Sequence, residues 1–195
     1  VYKRQPEYQR VTGKQIGAKY GFMDAGLFKD EADIANSPTV VGYKALPGYI
    51  KYVDRNGDGV ITAAQDQGYV GKSSTPTHTG SFNLFGDWKG FDFDLLFSRG
   101  LDNVVALTGQ YSGSGIQDNT AYTKPFYHGG NSPTYLVEKS WTPDNPNAEF
   151  PRLEISGPSN NNGFSSTFWY RSGNYMRLKT AQIGYNFPNC LLYTS

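Results

Sequence analysis

Two runs of alternating residues, joined by a two-residue connection, constrain this chain more than any other feature. In residues 80–88, Phe82, Leu84, Gly86 and Trp88 fall on one face, and Ser81, Asn83 and Asp87 on the other, with Phe85 as the exception. In residues 91–98, Phe91, Phe93, Leu95 and Phe97 share a face, while Asp92, Asp94 and Ser98 share the opposite one. A period of two is the signature of a strand with unlike faces. Lys89-Gly90 between the runs is short enough for a tight hairpin turn. Such a hairpin fits a soluble β-sandwich, with its apolar face in a core, or a membrane barrel, with that face toward lipid. Periodicity alone leaves both open.

Composition favours many strands. Aromatic residues make up 15% of the 195 residues, with 23 Gly, and the hydrophobic fraction is only 37%. That is too aromatic for simple disorder and suits strands separated by Gly- and Asn-rich turns. No apolar run approaches the roughly 18–20 residues of a membrane helix. Barrel strands need only about 9–11 residues, apolar on alternate positions.

The two ends read as non-native. Val1-Tyr2-Lys3-Arg4-Gln5 is the translation of GTGTATAAGAGACAG, and Cys190-Leu191-Leu192-Tyr193-Thr194-Ser195 of TGTCTCTTATACACATCT. These are two orientations of one sequencing adapter, so residues 1–5 and 190–195 are expected to be adapter-derived, and 6–189 natural. Cys190 is the only cysteine, so no disulfide framework, zinc cluster or cysteine nucleophile is expected in the natural part. Leaving out Lys3 and Arg4 moves the formal net charge from +1 to −1, and there is no basic patch for nucleic acid.

Along the chain, 16–28 reads as a kinked strand, 29–38 as a polar segment ending in the Asn36-Ser37-Pro38 turn, 49–53 as a short strand and 72–78 as a linker. Residues 101–112 read as another strand. Residues 113–168 are dense in Gly, Asn, Pro, Ser and Thr and read as a long loop, uncommon in a compact soluble domain. In 169–187, Met176 and Leu178 share one phase, and Ile183, Tyr185 and Phe187 the other. The slip near Thr180-Ala181 suggests a bulge or two strand environments.

Asp54-Arg55-Asn56-Gly57-Asp58-Gly59-Val60-Ile61 matches the first half of an EF-hand-type calcium loop. Asp54, Asn56 and Asp58 would supply oxygens at positions 1, 3 and 5, and Val60 its carbonyl at position 7. Position 12 carries the neutral Gln65 instead of Glu, with Asp66 one place later. The candidate set is therefore Asp54, Asn56, Asp58, Val60 and Asp66 for calcium. The alternative is an Asx-rich turn held by its own hydrogen bonds.

No catalytic motif stands out. His78 and His128 are the only histidines, and there is no His-Glu-x-x-His, Gly-x-Ser-x-Gly or Walker loop. Asp92 and Asp94 alternate with phenylalanines, as polar-face residues of a strand do. No catalytic residue is assigned. Tyr122, Phe126, Tyr127, Tyr135 and Trp141 are candidates for stacking on sugar rings or packing on a partner, or else for packing within the loop.

Several phrases occur in a family order. They are Pro47 to Asp54, Asn56 to Ile61, Asp66 and Val70-Gly71 (with one extra residue before Asp66), then Gly90-Phe91-Asp92, Trp141 to Pro146, Pro151-Arg152-Leu153, and Tyr175, Arg177, Leu178, Lys179, Ile183-Gly184-Tyr185 and Pro188. In this order they resemble the SusC/RagA-like TonB-dependent outer-membrane transporters. The resemblance implies an all-β fold: part of an antiparallel transmembrane β-barrel of 22 strands with long extracellular loops, here a C-terminal part. It also implies the outer membrane of a Gram-negative bacterium, with import of oligosaccharides or peptides. The implied partners are a SusD-like surface lipoprotein, the TonB complex and outer-membrane lipid. The competing expectation is a secreted calcium-stabilised β-sandwich that binds glycans, with Phe91, Phe93, Leu95 and Phe97 buried.

Overall fold

A computed structural model describes residues 6–107, 134–153 and 162–187. The adapter-like ends, Tyr122, Phe126, Tyr127 and His128 lie outside these residues. The chain divides into two compact units, one of Val1–Lys72 with Val105–Arg171, the other of Ser73–Val104 with Ser172–Ser195.

The first unit is a set of short paired strands. β1 (Lys19–Gly21) pairs antiparallel with β6 (Gly68–Gly71), and β2 (Asp24–Leu27) with β4 (Ile50–Tyr52). The expected kinked strand over 16–28 is thus two strands with different partners. Gly21 sits so close to Ser165 that a Cβ would lie 2.1 Å from the Ser165 carbonyl oxygen. The polar segment at 29–38 holds a helical turn, α1 (Glu31–Ala35). Asp30 caps it by accepting from the Asp33 N–H at 2.8 Å, and Pro38 cannot continue it. β3 (Thr39–Val40) runs parallel to β5 (Val60–Ile61) and so ties the far end of the acidic loop to the chain before it. α2 (Ala63–Asp66) follows β5 directly.

Phe22, Ile50, Tyr52, Ile61, Leu136, Phe150 and Trp169 form the core of this unit. The last three lie in or beside the stretch expected to be a long loop. Within its described part, α3 (Thr134–Glu138) instead carries Leu136 inward, and Ser140 and Phe150 form a parallel bridge. A buried side chain of this size contributes about 1.5–3 kcal/mol, so three anchors hold this region to the unit. Asn162 links the same parts, its Oδ1 accepting from the Ile50 N–H at 2.9 Å and its carbonyl from Trp169 Nε1 at 2.7 Å.

The second unit is a three-stranded antiparallel sheet in the order β11–β8–β7, made of β7 (His78–Trp88), β8 (Phe91–Leu101) and β11 (Tyr175–Tyr185). β9 (Val104–Ala106) and β10 (Tyr170–Ser172), most of whose residues belong to the first unit, form a short pair of their own. Lys89 and Gly90 both have positive φ, 49° and 86°, as a type I′ turn requires. The architecture is mostly strands with a few short helical turns. No sheet is closed among the described residues, and none of their helices is long and apolar enough to cross a membrane.

Candidate functional site: the two-faced sheet and the acidic loop

Register builds the sheet's first face. Trp88, Phe91 and Tyr185 lie side by side, followed by Gly86, Phe93 and Ile183, by Leu84, Leu95 and Ala181, and by Phe82, Phe97 and Leu178. The register of β11 shifts between Leu178 and Thr180, which makes Lys179 the extra residue of a bulge. The bulge explains the change of phase in the sequence. Met176 and Leu178 before it, and Ala181, Ile183 and Tyr185 after it, all come to the same face.

That face is open. Phe91 is 53% exposed, Phe93 40% and Ile183 82%. The β-sandwich expectation required Phe91 and Phe93 to be buried, and the sheet does not bury them. An open hollow of about 450 Å³ lies on it, lined by Trp88, Phe91, Asp92, Phe93, Leu95 and Ile183. Aromatic rings gather toward the turn: Phe91 and Tyr185 have centroids 4.6 Å apart, and Tyr185 and Phe187 5.1 Å. Lys89 Nζ lies 4.7 Å from the Trp88 ring.

The opposite face is polar along most of its length. Its rows are Asp87, Asp92 and Gly184, then Phe85, Asp94 and Gln182, then Asn83, Leu96 and Thr180, then Ser81, Ser98 and Arg177. Asp92 and Asp94 are thus residues of a strand's polar side, in neighbouring rows. Gly184 leaves room there for the Asp92 carboxylate, both oxygens of which would lie 2.6 Å from a Cβ at this position. Each long strand has eleven residues. At about 3.4 Å per residue and a tilt of about 45°, such a strand covers roughly 26 Å, close to the apolar band of about 25 Å in outer-membrane barrels.

The acidic loop belongs to the first unit and is ordered by its own side chains. Asp54 Oδ1 accepts from the Asn56 and Gly57 N–H groups at 3.2 and 2.7 Å, and Oδ2 from the Gly59 N–H at 2.7 Å. Asn56 Oδ1 accepts from the Asp58 N–H, and Asp58 Oδ1 from the Val60 N–H. Gly57 and Gly59 have φ of 76° and 83°, which favours glycine at both turns. These bonds, with that from Gly59 the largest contribution, hold the Asp54 carboxyl below its ordinary value.

Asp66 is fully buried, and both of its oxygens accept backbone N–H groups, from Arg55 at 2.9 Å and Thr62 at 2.8 Å. It staples the entrance of the loop to its exit. Gln65 is occupied with Thr62, whose hydroxyl caps α2. No group of three or more His, Cys, Asp or Glu side chains converges among the described residues. A hard cation could still use Asp54 Oδ2, the Asn56 and Asp58 side-chain oxygens and the Val60 carbonyl, because Asp54 Oδ2, Asn56 Oδ1 and Asp58 Oδ1 each accept one N–H here, whereas Asp54 Oδ1 already accepts two.

The described aromatic candidates pack differently. Trp141 lies against Gly48, where a Cβ would come within 2.6 Å of its ring, and Arg152 sits 5.9 Å from its centroid. Tyr135 is partly exposed and has its ring 5.9 Å from Phe150. Both therefore pack on their own unit. The residues that sequence reading missed are Asp66 as a buried staple and Asn162 as a link to the core. Gln65 three residues after Thr62 is the capping signal that could have marked the first.

No protein-family model matches the chain. Three curated proteins of Formosa agariphila do. "TonB-dependent receptor P3" is 28% identical over 97% of the chain, "TonB-dependent receptor P26" 27% over 91%, and "TonB-dependent receptor P39" 24% over 92%. The chain spans 17%, 16% and 19% of their lengths. Among solved structures, the "RagAB peptide transporter" superposes on 91% of the chain with a TM-score of 0.55 and 21% identity, the chain covering 17% of that protein. The chain is thus similar to curated TonB-dependent receptors over nearly its whole length, and similar in fold to part of the RagAB transporter.

Proposed function

We propose that this chain is part of the wall and surface loops of an outer-membrane transporter that imports oligosaccharides or peptides. The observation that carries this reading is the continuous apolar face of β7, β8 and β11, exposed on strands of membrane-spanning length. Lipid would cover that face, and the polar face would line the barrel interior. Trp88, Phe91, Tyr185 and Phe187 would form an interfacial aromatic girdle at the Lys89-Gly90 end. A turn this short belongs to the periplasmic rim, which makes the long connection from Leu101 to Tyr175 extracellular. The other strands of a 22-stranded barrel would pair with β7 and β11.

In this reading the protein moves its substrate without breaking a bond, TonB supplies the energy, and a SusD-like lipoprotein closes over the outer side. The peptide cargo in the name of the RagAB neighbour puts peptides beside oligosaccharides as candidate substrates. Uptake of labelled oligosaccharide and peptide pools by cells with and without the gene tests this. Loss of uptake of one class identifies the cargo, and unchanged uptake of both contradicts the reading.

The acidic loop would serve as a structural calcium turn, with oxygens from Asp54, Asn56, Asp58 and Val60, while the sequence candidate Asp66, buried and bonded through both oxygens to the Arg55 and Thr62 N–H groups, would hold the loop closed rather than ligate. Calcium is then expected to raise the melting temperature of the receptor, and Asp58→Ala to abolish the rise. No rise in the unaltered protein would leave the turn metal-free.

A further inference from the structure

The acidic loop contains Asn56-Gly57, the dipeptide in which a main-chain nitrogen reaches the preceding side-chain carbon with least obstruction. Both residues are exposed, and a Cβ on Gly57 would meet nothing within 4 Å. Gly57 N can attack Asn56 Cγ and close a five-membered succinimide. The N–Cγ bond forms as the Cγ–Nδ2 bond breaks, the Asn56 Nδ2 leaves as ammonia with the proton from Gly57 N, and water then opens the ring at either carbonyl. The products are aspartate and isoaspartate, and water is the only co-reactant.

Three hydrogen bonds stand against ring closure. The Gly57 N–H donates to Asp54 Oδ1 at 2.7 Å, which keeps the proton on the attacking nitrogen. Asn56 Oδ1 accepts from the Asp58 N–H at 3.1 Å, and Asn56 Nδ2 donates to Asp58 Oδ2 at 2.8 Å. The carboxamide is pinned at both ends and cannot swing toward Gly57 N. Asp54 also accepts from Asn56 and Gly59, so one carboxylate orders the whole turn.

We propose that Asn56 is a self-modification site guarded by Asp54: the folded loop suppresses succinimide formation, and opening the loop releases it. The conversion is one-way. It replaces the Asn56 amide that faces Asp58 with a carboxylate, so an attractive contact becomes a like-charge one and the loop does not reclose in its original form. The isoaspartyl product also adds a methylene to the main chain, which breaks the spacing of the turn. The inference concerns the loop alone and does not depend on the transport reading.

The test ages the whole chain, refolded in detergent micelles, at neutral pH in isotopically labelled water. Peptide mapping then reads label incorporated at Asn56. Samples are the unaltered chain, the same chain in concentrated urea, and the variants Asp54→Ala and Asn56→Gln. The unaltered folded chain is expected to convert at least about tenfold more slowly than Asp54→Ala, the effect of losing one charge-assisted hydrogen bond. Asp54→Ala should approach the rate in urea, and Asn56→Gln should show no label at that position. A folded chain that converts as fast as the chain in urea overturns the proposal, and so does an Asp54→Ala variant within about twofold of the unaltered chain.

Discussion

At the scale of single residues, the acidic loop separates two carboxylates that look alike in the sequence. Asp54 faces the turn and is tied to three backbone N–H groups, while Asp66 is turned fully inside. The Asp54 carboxyl is held low, chiefly by the Gly59 N–H. A group whose folded value is depressed contributes stability that is complete above its unfolded value and is lost as pH falls through the folded one. Asp33 is held low in the same sense, first by its bond from Lys51 Nζ at 2.7 Å. Both contributions are therefore present at neutral pH and fade below the ordinary value of 3.8. Asp54→Asn is expected to flatten the acid limb of a stability–pH curve and leave its slope above neutrality unchanged, read by denaturant melts across pH. Asp66→Ala removes the acceptor of two part-buried N–H groups, those of Arg55 and Thr62, each bond to a charged group worth about 1.5–3 kcal/mol. Its melting midpoint should fall well below that of an exposed control such as Asp144→Ala.

At the scale of elements, the hairpin of β7 and β8 was legible because a half-exposed sheet writes its two faces as alternation. The slip of phase near Thr180-Ala181 left a bulge or two strand environments open, and the structure resolves it as a bulge at Lys179 that brings Met176 and Ile183 to one face. The core of the first unit was not legible. Leu136, Phe150 and Trp169 stand in polar sequence with no regular spacing, and long-range packing selects them. The sequence likewise marked the carboxylates of the acidic loop without saying which one turns inward, since that depends on the backbone of Arg55 and Thr62. If the apolar face meets lipid, Leu95→Arg near its middle should cost the embedded receptor about 2–4 kcal/mol. Ser98→Arg, on the other face, should cost much less. Equilibrium unfolding from bilayers into denaturant measures both.

At the scale of the whole molecule, the sheet ends in two strands, β7 and β11, each paired on one side among the described residues. Open edges and an uncovered apolar face favour association in water. The isolated chain is therefore expected to aggregate in buffer and to stay dispersed in detergent, as light scattering would show. The curated relatives are about five to six times longer than the stretch the chain matches, and no sheet is closed among the described residues.

The most direct test is a scan of single spin labels through 91–98 and 176–185 of the complete receptor in bilayers. Accessibility to oxygen against a water-soluble relaxant is the quantity read. Membrane-wall strands predict oxygen maxima at Phe91, Phe93, Leu95 and Phe97. They also predict maxima at Met176 and Leu178, then at Ala181, Ile183 and Tyr185, with the phase stepping at Lys179. Labels at those positions that are shielded from both reagents, as in a closed soluble core, would contradict the account.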